Sequence, residues 1–134
     1  MVEMRIDYTG DLRATIVHGP SGTVIETDAP ADNQGLGERF SPTDLLAAAL
    51  GSCALTIMGI AARKRNLSLK GAAVRIEKHM QDSPRRVGRL VMEVTLPAAL
   101  SEHDRALMEK ACDACPVRLS INPEIKVETK FAYV

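Results

Sequence analysis

The chain has 134 residues with 17 basic and 17 acidic side chains, so its formal charge is zero and its length argues for one domain, residues 1–134, with one principal core. At 46% apolar and 25% charged residues it has the composition of an ordinary globular protein, outside the disordered class. The neutral balance and the small aromatic complement (Tyr8, Phe40, Phe131 and Tyr133) provide neither a phosphate-attracting field nor a stacking platform, so nucleic acid is not an expected partner.

Glu3, Arg5 and Asp7 interrupt the apolar run that a secretory signal needs, which predicts a cytoplasmic protein. Residues 2–9 alternate, with Val2, Met4, Ile6 and Tyr8 against Glu3, Arg5 and Asp7, as a half-buried strand does. A turn at Thr9-Gly10-Asp11 leads to a second strand over Leu12–His18, and the turn Gly19-Pro20-Ser21-Gly22 leads to a third over Thr23–Thr27. A polar loop then runs from Asp28 to Arg39.

Ser41-Pro42-Thr43-Asp44 reads as a helix start, with a hydroxyl cap, a proline suited to the first turn and an acid on the positive dipole end. From Leu45 to Ala62 there are 18 residues without a charge, long enough for a membrane span, but 11 of them are Ala, Gly, Ser, Thr or Cys. The flanking segments read as strands of one soluble sheet, which a lone internal span would divide, so no membrane is expected. A helix apolar on every face is buried on every face, and one sheet layer in so small a chain cannot achieve that; a partner subunit is expected to cover the other side.

Beyond the cationic end Arg63-Lys64-Arg65, two β-branched runs, Ala73–Met80 and Val87–Leu96, flank the loop Gln81–Arg86 as a second hairpin. Ser101 and Asp104 form a capping-box arrangement before Leu107, Met108 and Ala111, so a second helix runs to Cys112 or Ala114 and ends before Pro116. Val117–Ile121 fits one more helical turn, and Ile125–Val134, with Val127, Thr129 and Phe131 on one face, fits a closing strand.

The three cysteines carry most of the chemical interest. Cys53 sits mid-helix on a face shared with Leu46, Ala49 and Ile57, where it can serve as a small buried hydrophobe. An apolar site disfavours a thiolate, so a reactive Cys53 requires a nearby arginine. Cys112 and Cys115 form a Cys-x-x-Cys pair, but His18, His79 and His103 have no ligand spacing that would complete a zinc site, and no bound metal or cofactor is expected. Cys115, just before Pro116, fits the N-cap of the turn that follows, where the dipole favours a thiolate; packing at a helix end explains it equally well.

The run SPTDLLAAALGSC, ending at Cys53, together with CPV, beginning at Cys115, resembles the two cysteine motifs of the OsmC/Ohr family (osmotically inducible protein C and organic hydroperoxide resistance protein). The likeness extends to the order of elements over most of the chain. It implies an α+β fold of antiparallel sheets around a long central helix, in an intertwined homodimer with active sites near the subunit interface. It also implies that Cys53 attacks an organic hydroperoxide, releases the alcohol and becomes a sulfenic acid, which condenses with Cys115 to a disulfide that an external dithiol, lipoyl-type for example, reduces.

The family stabilises the thiolate with an arginine, for which Arg39 in ERF is the best match, with Arg5, Arg13 and the Arg63 cluster as other candidates. Where the family usually has a glutamate holding that arginine, this chain has Thr43; Asp44, next along, or Glu38 is the replacement expected. Cys112 has no counterpart and reads as a packing residue or a competing resolving thiol. Two alternatives remain open: a non-catalytic or weakly active dimer that binds an apolar small molecule, and a redox sensor using Cys112 and Cys115.

Overall fold

The computed structural model describes all residues, Met1–Val134. Its contacts divide the chain into two compact units, Met1–Leu46 and Ala47–Val134.

The first unit is an antiparallel meander of β1 (Met4–Gly10), β2 (Arg13–His18) and β3 (Val24–Asp28), followed by a 3₁₀ turn at Ala31–Asn33. The three predicted strands are present, each starting one or two residues later than the sequence pattern suggests. Pairing of Ile6 with Ile16 and of Ile16 with Ile25 puts the apolar side chains of the three strands on one face. Much of that face is open: Met4, Ile6, Tyr8 and Ile25 are all more than two-fifths exposed.

Helix α1 (Pro42–Lys64) begins in the first unit and runs into the second. Its start is a reciprocal cap: Ser41 Oγ accepts from the Asp44 amide at 3.0 Å, and the Asp44 carboxylate accepts from the Ser41 amide at 2.8 Å. By length and composition α1 could cross a membrane, yet Ala47, Leu50, Gly51, Ala54, Met58 and Ala62 form a buried stripe at helical spacing. Ala49, Ser52, Thr56 and Ile60 on another face remain exposed.

The second unit continues with β4 (Ala73–Gln81), β5 (Arg86–Leu96), α2 (Glu102–Asp113), α3 (Pro116–Ser120) and β6 (Lys126–Tyr133). β4 and β5 are antiparallel, as a hairpin requires, but β6 lies parallel to β5, so the sheet is mixed and the expectation of purely antiparallel sheets is corrected. The cause is the connection: α2 and α3 form a crossover that returns the chain to the end of the sheet where β5 began.

All three helices lie on one face of this sheet. A Cβ at Gly51 of α1 would stand 3.3 Å from Val74 Cγ1 on β4, so glycine permits this approach. Arg118 of α3 reaches Thr129 Oγ1 at 3.5 Å, and Tyr133 of β6 donates to Glu109 of α2 at 2.5 Å. Between them lie the buried Leu90, Met92, Val94 and Leu96 of β5 with Met108 and Cys112 of α2. The opposite face is a charge ladder in which Arg75 meets Glu77 at 2.7 Å and Glu93 at 3.3 Å, and Arg89 meets Glu128 at 3.5 Å. Such exposed pairs keep the face soluble more than they stabilise it.

Candidate active site

Within the second unit the fold brings together two sulfurs that lie far apart in the sequence. Cys53 is half-buried on α1, between the buried stripe and the exposed one. Cys115 is fully buried where α2 gives way to α3, and its thiol neighbours that of Cys53 closely enough to be perturbed by it. Both are free thiols.

Cys115 holds the position its sequence predicts. Pro116 ends α2 and occupies the first turn of α3, and Cys115 becomes its N-cap, with Sγ accepting from the Arg118 amide at 3.4 Å. The expected net bias toward thiolate is not realised, however. Burial raises the Cys115 thiol above its ordinary range and the Cys53 neighbour adds to that, outweighing the amides of Arg118 and Val117 that act the other way. Cys115 therefore keeps its proton at neutral pH.

Cys112, one turn before Cys115 on α2, is fully buried as well, and burial pushes its thiol up to about 11, reinforced by the charge of Asp113. This is the environment of an inert packing cysteine.

The other predicted site residues lie in the first unit. Arg39 and Asp44 line one cleft of about 370 Å³ with Gly37, Glu38 and Phe40. Arg39 donates to Glu26 at 2.9 Å and reaches Glu38 at 3.5 Å. Glu38 is thus one carboxylate beside Arg39. Glu26 is a second, and nothing in its sequence position foretold it; only the pairing of β3 with β2 sets it before the returning loop. The Asp44 carboxylate is engaged in the helix cap described above.

Glu38 also bridges to Arg13 at 3.2 Å, and Arg13 forms a forked pair with the fully buried Asp28 at 2.6 and 2.9 Å. The Glu38 amide adds a third donor to Asp28 at 3.1 Å. The Arg13 guanidinium, chiefly, holds the Asp28 carboxyl below its ordinary range, and Asp28 in turn raises Arg13. Two arginines and three carboxylates therefore form one network in which Arg13 is the more firmly fixed cation.

The profile of the OsmC-like protein family matches residues 35–130. A crystal structure from Psychrobacter arcticus, provisionally assigned to osmotic stress and detoxification responses, is 40% identical, covers 98% of this chain and 96% of its own, and superposes with a TM-score of 0.94. The chain belongs to the OsmC/Ohr family.

Two more distant structures share the fold. The OsmC organic hydroperoxide resistance protein of Legionella pneumophila is 16% identical with a TM-score of 0.80, over 98% of this chain and 96% of that one. The organic hydroperoxide resistance protein of Elizabethkingia anophelis is 14% identical with a TM-score of 0.79, over 100% and 96%. None of the curated proteins compared matches.

Proposed function

We propose that this OsmC/Ohr protein is a cytoplasmic thiol peroxidase that reduces organic hydroperoxides to alcohols. The observation that carries the reading is that the fold sets the Cys115 thiol beside that of Cys53, about 60 residues away in the sequence. The Cys53 thiolate attacks the distal peroxide oxygen, the O–O bond breaks, and the alkoxide leaves as the alcohol after taking a proton. Cys53 is then a sulfenic acid. Cys115, already against it, displaces the hydroxyl as water and closes a disulfide before further oxidation. A dithiol, lipoyl-type for example, supplies the two electrons that reopen it.

Apolar neighbours of Cys53 on α1, Ala54 and Ile57 among them, favour an alkyl or lipid hydroperoxide over hydrogen peroxide. Arg39 is assigned to stabilise the thiolate and Asp44 to anchor it, on the family resemblance. The match over residues 35–130 supports treating residues 1–134 as one OsmC-like domain. The open apolar face of β1–β3 and the exposed stripe of α1 support an intertwined homodimer.

Consumption of cumene hydroperoxide with a dithiol tests the activity: wild type turns over, Cys53→Ser does not, and Arg39→Ala is slowed. No consumption by wild type overturns the proposal. An apolar cleft of about 360 Å³ in the first unit, lined by Met4, Ile16 and Ile25 with His18, Ser21 and Thr23, favours a second reading as a non-catalytic binding dimer. Unreactive thiols at neutral pH would support that one.

A further inference from the structure

Arg39, the cation assigned to the Cys53 thiolate, stands near the end of the polar loop between β3 and α1, where a side chain is ordinarily free to wander. Its guanidinium contacts alone do not remove that freedom. Glu26 at 2.9 Å is an open partner, with 40% of the Arg39 side chain and 41% of its own exposed, and Glu38 lies at 3.5 Å. The backbone on either side of Arg39 is held more firmly, and by one residue. The fully buried Asp28 carboxylate accepts from the Glu38 amide at 3.1 Å, and the Asp28 amide donates to the Phe40 carbonyl at 3.1 Å. Asp28 thus grips the chain one residue before and one residue after Arg39.

Charge and packing fix that grip. The Arg13 fork, at 2.6 and 2.9 Å, keeps Asp28 ionised, and an ionised acceptor holds an amide more strongly than a neutral one. Glu26 and Asp28 lie two apart on β3 and share one face of the strand, so the face that pins the backbone also offers a carboxylate to the guanidinium. The loop between is tightly closed. The Ala29 amide donates to the Leu12 carbonyl at 3.0 Å, the Gly37 amide donates to the Ala29 carbonyl at 3.3 Å, and a Cβ at Gly35 would collide with that same carbonyl.

We propose that Asp28 is a positioning residue for Arg39, setting the cation at the end of its loop before the thiolate forms, with Arg13 as the counter-ion that makes Asp28 able to do so. The inference deepens the peroxidase reading and rests on its assignment of Arg39. A charge interaction weakens as the cation moves away, and a preset cation needs no ordering when the thiolate appears. Loosening the loop is therefore expected to disfavour the thiolate even though Cys53 and Arg39 are both unchanged.

The experiment follows the ultraviolet absorbance of thiolate in the full-length protein as pH is raised, with the Cys53 step defined by its loss in Cys53→Ser; no peroxide is required. Arg39→Ala is expected to move this step up by about one pH unit. Asp28→Asn is expected to move it in the same direction, because one amide oxygen cannot take the three donors that two carboxylate oxygens take. The double variant is expected to move it no further than Arg39→Ala alone. Gly35→Ala, which keeps Arg13, Asp28 and Arg39 and spreads the loop, is expected to give the same upward shift. Circular dichroism establishes that each variant is folded, so a shift is not the result of lost structure. An unmoved step in folded Asp28→Asn or folded Gly35→Ala overturns the inference. An Asp28→Asn shift that persists in full on the Arg39→Ala background also overturns it, because Asp28 would then act through Arg13 instead. No shift in Arg39→Ala overturns the assignment of Arg39 together with the inference. Failure of wild type to consume cumene hydroperoxide while the expected shifts are present overturns the peroxidase reading alone.

Discussion

At the scale of single residues, the three cysteines are separated by their surroundings. Cys115→Ser is expected to consume one equivalent of hydroperoxide and then stop in the presence of a dithiol slow to reduce a sulfenate, whereas Cys112→Ala keeps turning over; peroxide consumption measured against protein concentration reads both. Because burial pushes the Cys112 thiol up to about 11, iodoacetamide at pH 8 is expected to label Cys53 well before Cys112, and early labelling of Cys112 would contradict its packing role.

The Arg13–Asp28 pair predicts an acid limit. The Asp28 carboxyl titrates lower folded than its ordinary 3.8, so the unfolded chain binds the proton first. The stabilisation is complete above about pH 4 and is lost as pH falls through the folded value. Melting temperature should therefore drop more steeply below pH 4 in wild type than in Asp28→Asn, and parallel curves would contradict this. Some of these roles were legible in the sequence: the Ser41–Asp44 cap and the Cys115 cap follow from local spacing, which fixes who meets whom within one turn. Arg13 with Asp28, and Arg39 with Glu26, were not legible, because those meetings depend on strand pairing that no local pattern encodes.

At the scale of elements, the alternation of β1 and the capping residues of α1 and α2 placed every helix and strand within a few residues. Ser101 Oγ accepts from the Asp104 amide at 3.1 Å and donates to its carboxylate at 2.8 Å, so Ser101→Ala is expected to cost about 1 kcal/mol in urea unfolding. Leu90, fully buried at the centre of the second sheet, sets the larger scale: Leu90→Ala should cost about 2–5 kcal/mol by the same measurement. The direction of β6 was misread because period-two alternation is blind to strand polarity. The helical connection through α2 and α3 permits a parallel neighbour without requiring one, since α1 connects β3 to β4 in a different sheet.

At the scale of the whole molecule, the same arithmetic of apolar surface that predicted a covered α1 applies to the first sheet, whose Met4, Ile6 and Tyr8 are 54%, 60% and 71% exposed. A homodimer accounts for both, and sedimentation velocity should find twice the chain mass for wild type and a lighter species for Ile6→Asp; a wild-type monomer would contradict the dimer. Family membership was legible from two short motifs, one ending at Cys53 and one beginning at Cys115, taken with the order of the elements between them. The meeting of their sulfurs was implied by that resemblance alone and became a physical statement only once β5, α2 and α3 had carried Cys115 back to α1. The most direct test of that meeting is peptide mapping after one equivalent of cumene hydroperoxide. A Cys53–Cys115 disulfide formed together with one equivalent of cumyl alcohol is the predicted result, and intact Cys53 thiol, or a bridge joining Cys112 to Cys115 instead, would contradict it.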